Sequence, residues 1–274
     1  MSTANIPLAG KRIVVTRAPE QSGELVRLLE NMGAEVLALP VVAFAPPEDW
    51  RALDGALRNL ESFDAVLFLS RNAVRYVSGR CRELGVHFEA LGSQNRLIAA
   101  VGPATAEDAL REGLRVDLVA ENRTGESLVR ELRDQLAGRS VLLPRSDRGD
   151  ERVPSALRAG GARVTEVVAY RTVAPEKLDP AILDRLHRCE VDSVVFASPS
   201  AFRNFADFVG RESVSKISER VHFAAIGPTT ARAIRDSGVR VDIEVSDVAS
   251  IGVASIADAL AQYFQRTSAP VRSA

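Results

Sequence analysis

Histidine and cysteine are scarce, with three of one and two of the other in 274 residues. Cys81 and Cys189 stand outside any C-x-x-C or Cys/His cluster, and His87, His187 and His222 lack ligand spacing, so no metal site is read. Isolated thiols suit a reducing compartment, and their pairing stays open. Long apolar runs are missing too: none approaches the ~20 residues of a membrane span. The opening "MSTANIPLAGKR" has no basic stretch followed by an apolar one, so a cytoplasmic location is expected. Charge of one sign is also lacking. Lys and Arg total 35 against 36 Asp and Glu, a net charge of −1, which leaves no basic field for nucleic acid. A polyanionic ligand would need locally placed donors. The phosphate fingerprints G-x-G-x-x-G and G-x-x-x-x-G-K-[ST] are absent, as are H-E-x-x-H and a Ser/His/Asp order. An enzyme built here would use no metal, no nucleotide cofactor and no evident strong nucleophile.

What the sequence has is itself, twice. "AAVGPATAEDALREGLRVDL" (99–118) faces "AAIGPTTARAIRDSGVRVDI" (224–243) without a gap, with 10 of 20 positions identical. "DAVLFLSRNAVR" (64–75) faces "DSVVFASPSAFR" (192–203), with 6 of 12 identical. "KRIVVTR" (11–17) faces "RSVLLPR" (139–145), and "GAEV" (33–36) faces "GARV" (161–164). The offset is 125 in the first block and 128 in the others. A period this long is a duplicated domain rather than a solenoid repeat.

Within each copy, short β-branched runs such as "RIVVT", "AVLFL", "SVLLP" and "SVVFA" read as strands buried on both faces. Between them lie helical stretches. "EQSGELVRLLENMG" sets Leu25, Leu28, Leu29 and Met32 at helical spacing and stops at Gly33, a C-cap signal. Alternating strands and helices give α/β domains with doubly wound parallel sheets. Ligands of such sheets bind beyond the carboxyl ends of the strands. Those tips carry Thr16 and Arg17; Pro144, Arg145 and Ser146; Ser70, Arg71 and Asn72; Ser198, Pro199 and Ser200; Gly102 with Thr105; and Gly227 with Thr229 and Thr230. In "GPAT" the glycine permits a sharp turn, the proline suits a first helical turn, and the threonine brings a hydroxyl to a positive helix end. The motif fits plain N-capping and equally a carboxylate or phosphate site. Arg17 and Arg145, equivalent in the repeat, fit surface ion pairs and equally carboxylate binding. "RGD" (148–150) reads as a polar loop.

Together "VTRAPEQ" (15–21), "FLSRNAV" (68–74), "AAVGPATA" (99–106), "LLPRSDRGDE" (142–151), "VVAYRTV" (167–173), "FASPSAFRNF" (196–205) and "AAIGPTTARAIRDSG" (224–238) resemble the uroporphyrinogen-III synthase family over about residues 11–264. Leu69 stands where that family has a hydroxyl. The resemblance implies two similar α/β domains joined by a two-strand bridge, the chain crossing over and back. The first domain would be 1–40 with 173–266, the second 45–168, the bridge 41–44 with 169–172, and 267–274 a disordered tail. It also implies cyclisation of the linear tetrapyrrole hydroxymethylbilane to uroporphyrinogen III, with loss of water and inversion of the last ring through a spiro intermediate. Domain closure would hold a carboxylate-rich substrate against Arg17, Ser70, Asn72, Gly102, Thr105, Arg145, Ser198, Ser200, Gly227, Thr229 and Thr230. Tyr170 would give a proton to the departing hydroxyl. No cofactor or metal is expected, nor a nucleic-acid or membrane partner. A monomer is expected, in at most transient contact with porphobilinogen deaminase. Two other readings of the residues stay open: a two-lobed cytoplasmic tetrapyrrole- or anion-binding module without activity, and a sugar-phosphate enzyme using the "GPAT" helix ends.

Overall fold

In the computed structural model, which describes residues 6–93, 95–122, 124–245 and 253–268, the short apolar runs are strands with helices between them. The chain begins with β1 (Arg12–Val15), α1 (Pro19–Asn31) and β2 (Glu35–Ala38). Then come β3 (Ala43–Ala45), α2 (Arg51–Arg58), β4 (Ala65–Phe68), α3 (Arg71–Leu84), β5 (Leu97–Ala100), α4 (Pro103–Arg111) and β6 (Leu118–Val119). They are followed by α5 (Gly125–Leu136), β7 (Ser140–Ser146), α6 (Arg152–Ala159) and β8 (Arg163–Val173). The last part holds α7 (Pro180–His187), β9 (Ser193–Phe196), α8 (Pro199–Val209), α9 (Arg211–Ser218), β10 (His222–Ile226), α10 (Pro228–Arg235), β11 (Ile243–Val245) and α11 (Val253–Ser268). As the C-cap signals require, the chain leaves α1, α4 and α10 through glycines of positive φ: Gly33, Gly113 and Gly238.

The chain divides into two units, Met1–Ala43 with Ala174–Ala274, and Phe44–Val173. The first holds a sheet ordered β2-β1-β9-β10-β11, parallel throughout. The second is ordered β3-β8-β7-β4-β5-β6, parallel from β8 to β6. The sequence repeat matches β7 and β8 to β1 and β2, and β4, β5 and β6 to β9, β10 and β11. Apart from β3, both sheets then have the same doubly wound order. Each joins the first two strands of one copy to the last three of the other. Residues 169–172 are part of β8, and 43–45 form its neighbour β3, while 41 and 42 lie in no strand. Of the tail expected at 267–274, Thr267 and Ser268 belong to α11, and the rest lies outside the described residues.

Alternate residues of each strand feed two cores, one per sheet face. In the first unit Val14, Val194, Phe196 and Phe223 pack on one side, and Ile13, Val15, Val195 and Ala224 on the other. In the second unit Val66, Phe68, Ile98 and Leu142 oppose Ala65, Leu67, Ala99 and Val141. Continuous apolar runs are therefore required, because neither face meets water.

Four aspartates kept in both copies fasten the amino ends of the strands. Asp64 accepts a hydrogen bond from Ser140 N and Asp192 from Arg12 N, both at 2.8 Å. Asp117 accepts from Ile98 N and Asp242 from Phe223 N, both at 2.9 Å. The Ser140 N–H, more than Arg139, holds the Asp64 carboxyl below its usual range, outweighing the opposing effect of burial. A lowered folded-state value stabilises above the unfolded value of ~4 and is lost as pH falls through the folded one. Asp64→Asn keeps an acceptor but no titrating group. Urea midpoints measured from pH 6 down to 2 are expected to show a shallower acid decline in this variant. An unchanged decline would exclude the contribution.

Candidate active site

In each sheet the winding reverses where strands from different copies meet, β1 beside β9 and β7 beside β4. Such switch points are where doubly wound sheets bind ligands. In the second unit a cavity of about 410 Å³ opens there. Its walls include Leu69 and Ser70 after β4, Val101 after β5, Arg145 and Ser146 at the end of β7, and Tyr170 of β8. Thr124 and Gly125, at the start of α5, complete it with Gly149, Asp150 and Arg152. Ser70 and Thr124 are N-caps: Ser70 Oγ accepts from Ala73 N and Thr124 Oγ1 from Ser127 N, each at 3.1 Å. The positive ends of two helices of 14 and 12 residues thus reach the same cavity, a setting that favours anions.

Tyr170 owes its place to an irregularity. β7 and β8 pair in step from Ser140↔Arg163 to Arg145↔Val168, and then Ser146 pairs with Tyr170. The extra residue, Ala169, breaks the alternation, so Val167, Ala169 and Tyr170 all pack into the same core. Bulges commonly re-aim a side chain beside an active site. The ring lies against Tyr76, stacked at 5.7 Å, and Phe44, edge-on at 5.7 Å. The hydroxyl is 3.0 Å from Ser70 Oγ. Asp147 ties down the strand end: its N–H donates to Tyr170 O at 3.1 Å and its carboxylate accepts from Thr172 N at 2.9 Å. Burial pushes the Tyr170 phenol above its ordinary value, against the bond from Ser70. It is therefore a protonated donor at neutral pH.

The two equivalent arginines have different surroundings. Contrary to the expected tip position, Arg145 lies within β7, since pairing to the long β8 continues through Ser146. It is 8% exposed, and its guanidinium meets Glu166, and Glu151 at 2.9 Å. A Cβ on Gly149 would collide with Arg145 Nε, so the middle residue of "RGD" makes room for it. Arg17 follows β1, and its Nε is buried without a hydrogen-bond partner. Burial lowers its pKa, only partly opposed by the charge of Glu24. The register explains the contrast: Leu143 pairs with Glu166, while its counterpart Val15 pairs with Ala38.

Of the other candidates in the second unit, Asn72 and Thr105 are buried, and Gly102 caps α4. None of the three lines the cavity. In the first unit Ser198 Oγ accepts from Ala201 N at 3.1 Å and lies 3.0 Å from Ser200 Oγ. Gly227 begins α10 at φ +88°. Behind it Thr229 is exposed and Thr230 buried. Thr16 Oγ1 donates to Val195 O at 2.7 Å, joining β1 to β9. Thr124, Gly125, Glu126 and Arg152 are among the cavity residues not singled out from the sequence. "TGES" at 124–127 carried a usable sign of a capped helix start.

A family model described as uroporphyrinogen-III synthase HemD matches residues 23–252. The uroporphyrinogen-III synthase of Synechococcus elongatus is 32% identical over 249 residues, covering 89% of this chain and 93% of that one. A crystal structure of a mutant uroporphyrinogen III synthase from Thermus thermophilus superimposes with a TM-score of 0.58 at 22% identity, over 94% of this chain and all of that one. The uroporphyrinogen-III synthetase of Helicobacter pylori gives 0.56 at 16% identity, over 94% and 99%. Both likenesses show the two-domain α/β fold.

The contrast between the arginines is open to measurement. Arg145→Gln leaves Glu166 only Arg158 and is expected to cost about 3 kcal/mol, the order for breaking a buried pair. Arg17→Gln removes a partly buried cation with an orphaned Nε and is expected to leave the urea midpoint unchanged or raised. Equal losses in the two variants would contradict the asymmetry.

Proposed function

The chain belongs to the uroporphyrinogen-III synthase family, and we propose that its Tyr170 cavity receives the hydroxymethyl end of the linear tetrapyrrole and starts ring closure there. The protein is an enzyme of porphyrin biosynthesis with a small-molecule tetrapyrrole substrate. The family match does not favour an inactive binding module. Among the described residues no helix is long and apolar enough to cross a membrane. In this reading the enzyme acts as a monomer in the cytoplasm on hydroxymethylbilane, touching porphobilinogen deaminase only transiently.

The observation that carries the reading is a buried phenol, its pKa raised by that burial, at the wall of a cavity lined by hydroxyls and helix N-termini. At about 410 Å³ the cavity suits part of a tetrapyrrole rather than the whole. Leaving begins when the carbon–oxygen bond of the hydroxymethyl group breaks and its electron pair departs with oxygen. Tyr170 gives its proton to that oxygen, and water forms. The electron-rich pyrrole carries the positive charge left behind, so modest acid help suffices. The substituted carbon of the last ring then attacks, through a spiro intermediate. A proton lost as the macrocycle settles restores the phenol.

Left alone, the bilane closes to the type I isomer. Selectivity therefore rests on holding the chain so that the substituted carbon is nearest, which is catalysis by positioning. The hydroxyls of Thr124 and Ser146, and the ends of the helices that Ser70 and Thr124 cap, suit the ring's acidic side chains. Arg152 is exposed and held by Asp150 and Glu126, themselves exposed, so a substrate carboxylate can replace either at little cost. Arg145, held by Glu166, shapes the wall. Arg17 keeps an orphaned nitrogen that a substrate carboxylate would satisfy. For Asn72, Gly102, Thr105, Ser198, Ser200, Gly227, Thr229 and Thr230 the reading rests on their places at strand tips.

A coupled assay with porphobilinogen deaminase, followed by separation of the oxidised type I and type III porphyrins, tests this. EDTA-treated, dialysed enzyme is expected to give the type III isomer, and type I alone would refute the activity. Tyr170→Phe should slow turnover ~10–1000-fold, as for one lost acid contact, and raise the type I share. Wild-type rate and isomer ratio would remove Tyr170 from the chemistry. Because burial raises its pKa, Tyr170 stays protonated below pH ~10, and the wild-type rate should show no Tyr170-dependent alkaline loss below that point. Arg17→Gln should raise KM ~10-fold or more, as for one lost charge-assisted contact.

A further inference from the structure

We infer that Ser70 is a positioning residue: it donates a hydrogen bond to Tyr170 Oη, so that the phenol's own proton is free to meet the leaving hydroxyl. The inference rests on Tyr170 being the acid proposed above. Three observations combine. Ser70 Oγ accepts from Ala73 N at 3.1 Å and lies 3.0 Å from Tyr170 Oη. A hydroxyl that accepts from a backbone N–H becomes a better donor, because hydrogen bonds in a chain polarise one another. Ser70 has one proton to give, and the phenol oxygen is within reach of it.

The second observation is the helix behind Ser70. It caps the 14-residue α3, whose amino end carries partial positive charge. When Tyr170 gives its proton away, negative charge develops on an oxygen 3.0 Å from that cap. Both the Ser70 O–H and the helix end then stabilise the phenolate more than the phenol. An interaction stronger in the transition state than in the ground state is one that raises kcat rather than tightening binding.

The third is that the phenol's other surroundings act the opposite way. Burial, Asp147 and Tyr76 all push the phenol towards holding its proton, and the Ser70 bond opposes them. Phe44 and Tyr76 fix the ring on two sides. The oxygen is thus held where Ser70 meets it, at the cavity wall. No atom is gained or lost in this relay. The Ser70 proton stays on Ser70, and only the Tyr170 proton leaves, to return when the macrocycle sheds its own.

The test is a double-variant cycle with a spectroscopic readout, in the full-length enzyme. Ser70→Ala is expected to lower kcat ~10–100-fold at nearly unchanged KM. In the Tyr170→Phe enzyme the same change should lower kcat no further, because Ser70 acts through the phenol. The ultraviolet tyrosinate transition that Tyr170→Phe abolishes should move to higher pH in Ser70→Ala. Ser70→Thr, which keeps both cap and donor, should restore rate and transition together. This guards against Ser70→Ala simply loosening α3. Losses that multiply in the double variant, or a transition that does not move, would overturn the role of Ser70 alone. A wild-type kcat in Tyr170→Phe would overturn the acid as well.

Discussion

Each unit closes along a seam, β1 against β9 in one and β7 against β4 in the other. The strands on either side come from different copies of the duplicated sequence. The pairing Val15↔Val195 joins residues that far apart along the chain. Almost everything of functional interest follows from these seams. They reverse the winding of the sheet, so the helices on either side diverge and leave room above the strand ends. They also bring Ser70 of one copy beside Ser146 and Tyr170 of the other. A single copy folded on its own strands would hold the same residue types, but paired with its own tips.

The chemistry proposed for the cavity depends on departures from the repeat. Tyr170 stands opposite Val42 in the alignment and is aimed by one surplus residue in β8. Glu166 stands opposite Ala38, and this difference gives one arginine a carboxylate on the neighbouring strand that the other lacks. Duplication supplied two equivalent frames, and a few substitutions gave them different electrostatics. The four edge aspartates stayed alike because the backbone N–H groups they satisfy are the same in both sheets.

Much of the fold was legible in the sequence. The apolar runs, the glycine-ended helices and the constant offsets identified strands, helices and duplication, since each is a local signal or a direct comparison. Of the candidate site, Ser70, Arg145 and Tyr170 do line one cavity. The rest was hidden for physical reasons. "VVAY" reads the same with or without a bulge, because both arrangements bury apolar residues. The burial of Arg145 depends on a carboxylate 21 residues away, on the next strand. Thr124 lies in a polar stretch, and only a folded helix shows which hydroxyl caps it.

The seams also impose an order on synthesis. The second unit is one continuous stretch, Phe44–Val173, so all its contacts are available once that stretch has left the ribosome. The first unit is not. Its β1 and β2 emerge first but wait for β9, which lies beyond the whole of the second unit. Closing that loop carries an entropic cost that grows with its logarithm, and a compact second unit shortens the effective loop before the ends must meet. Until then β1 is a buried strand without its partner, the kind of apolar edge that nascent chains leave open to wrong pairing. Early folding of the second unit thus acts as a spacer that brings the two ends of the first unit within reach of each other.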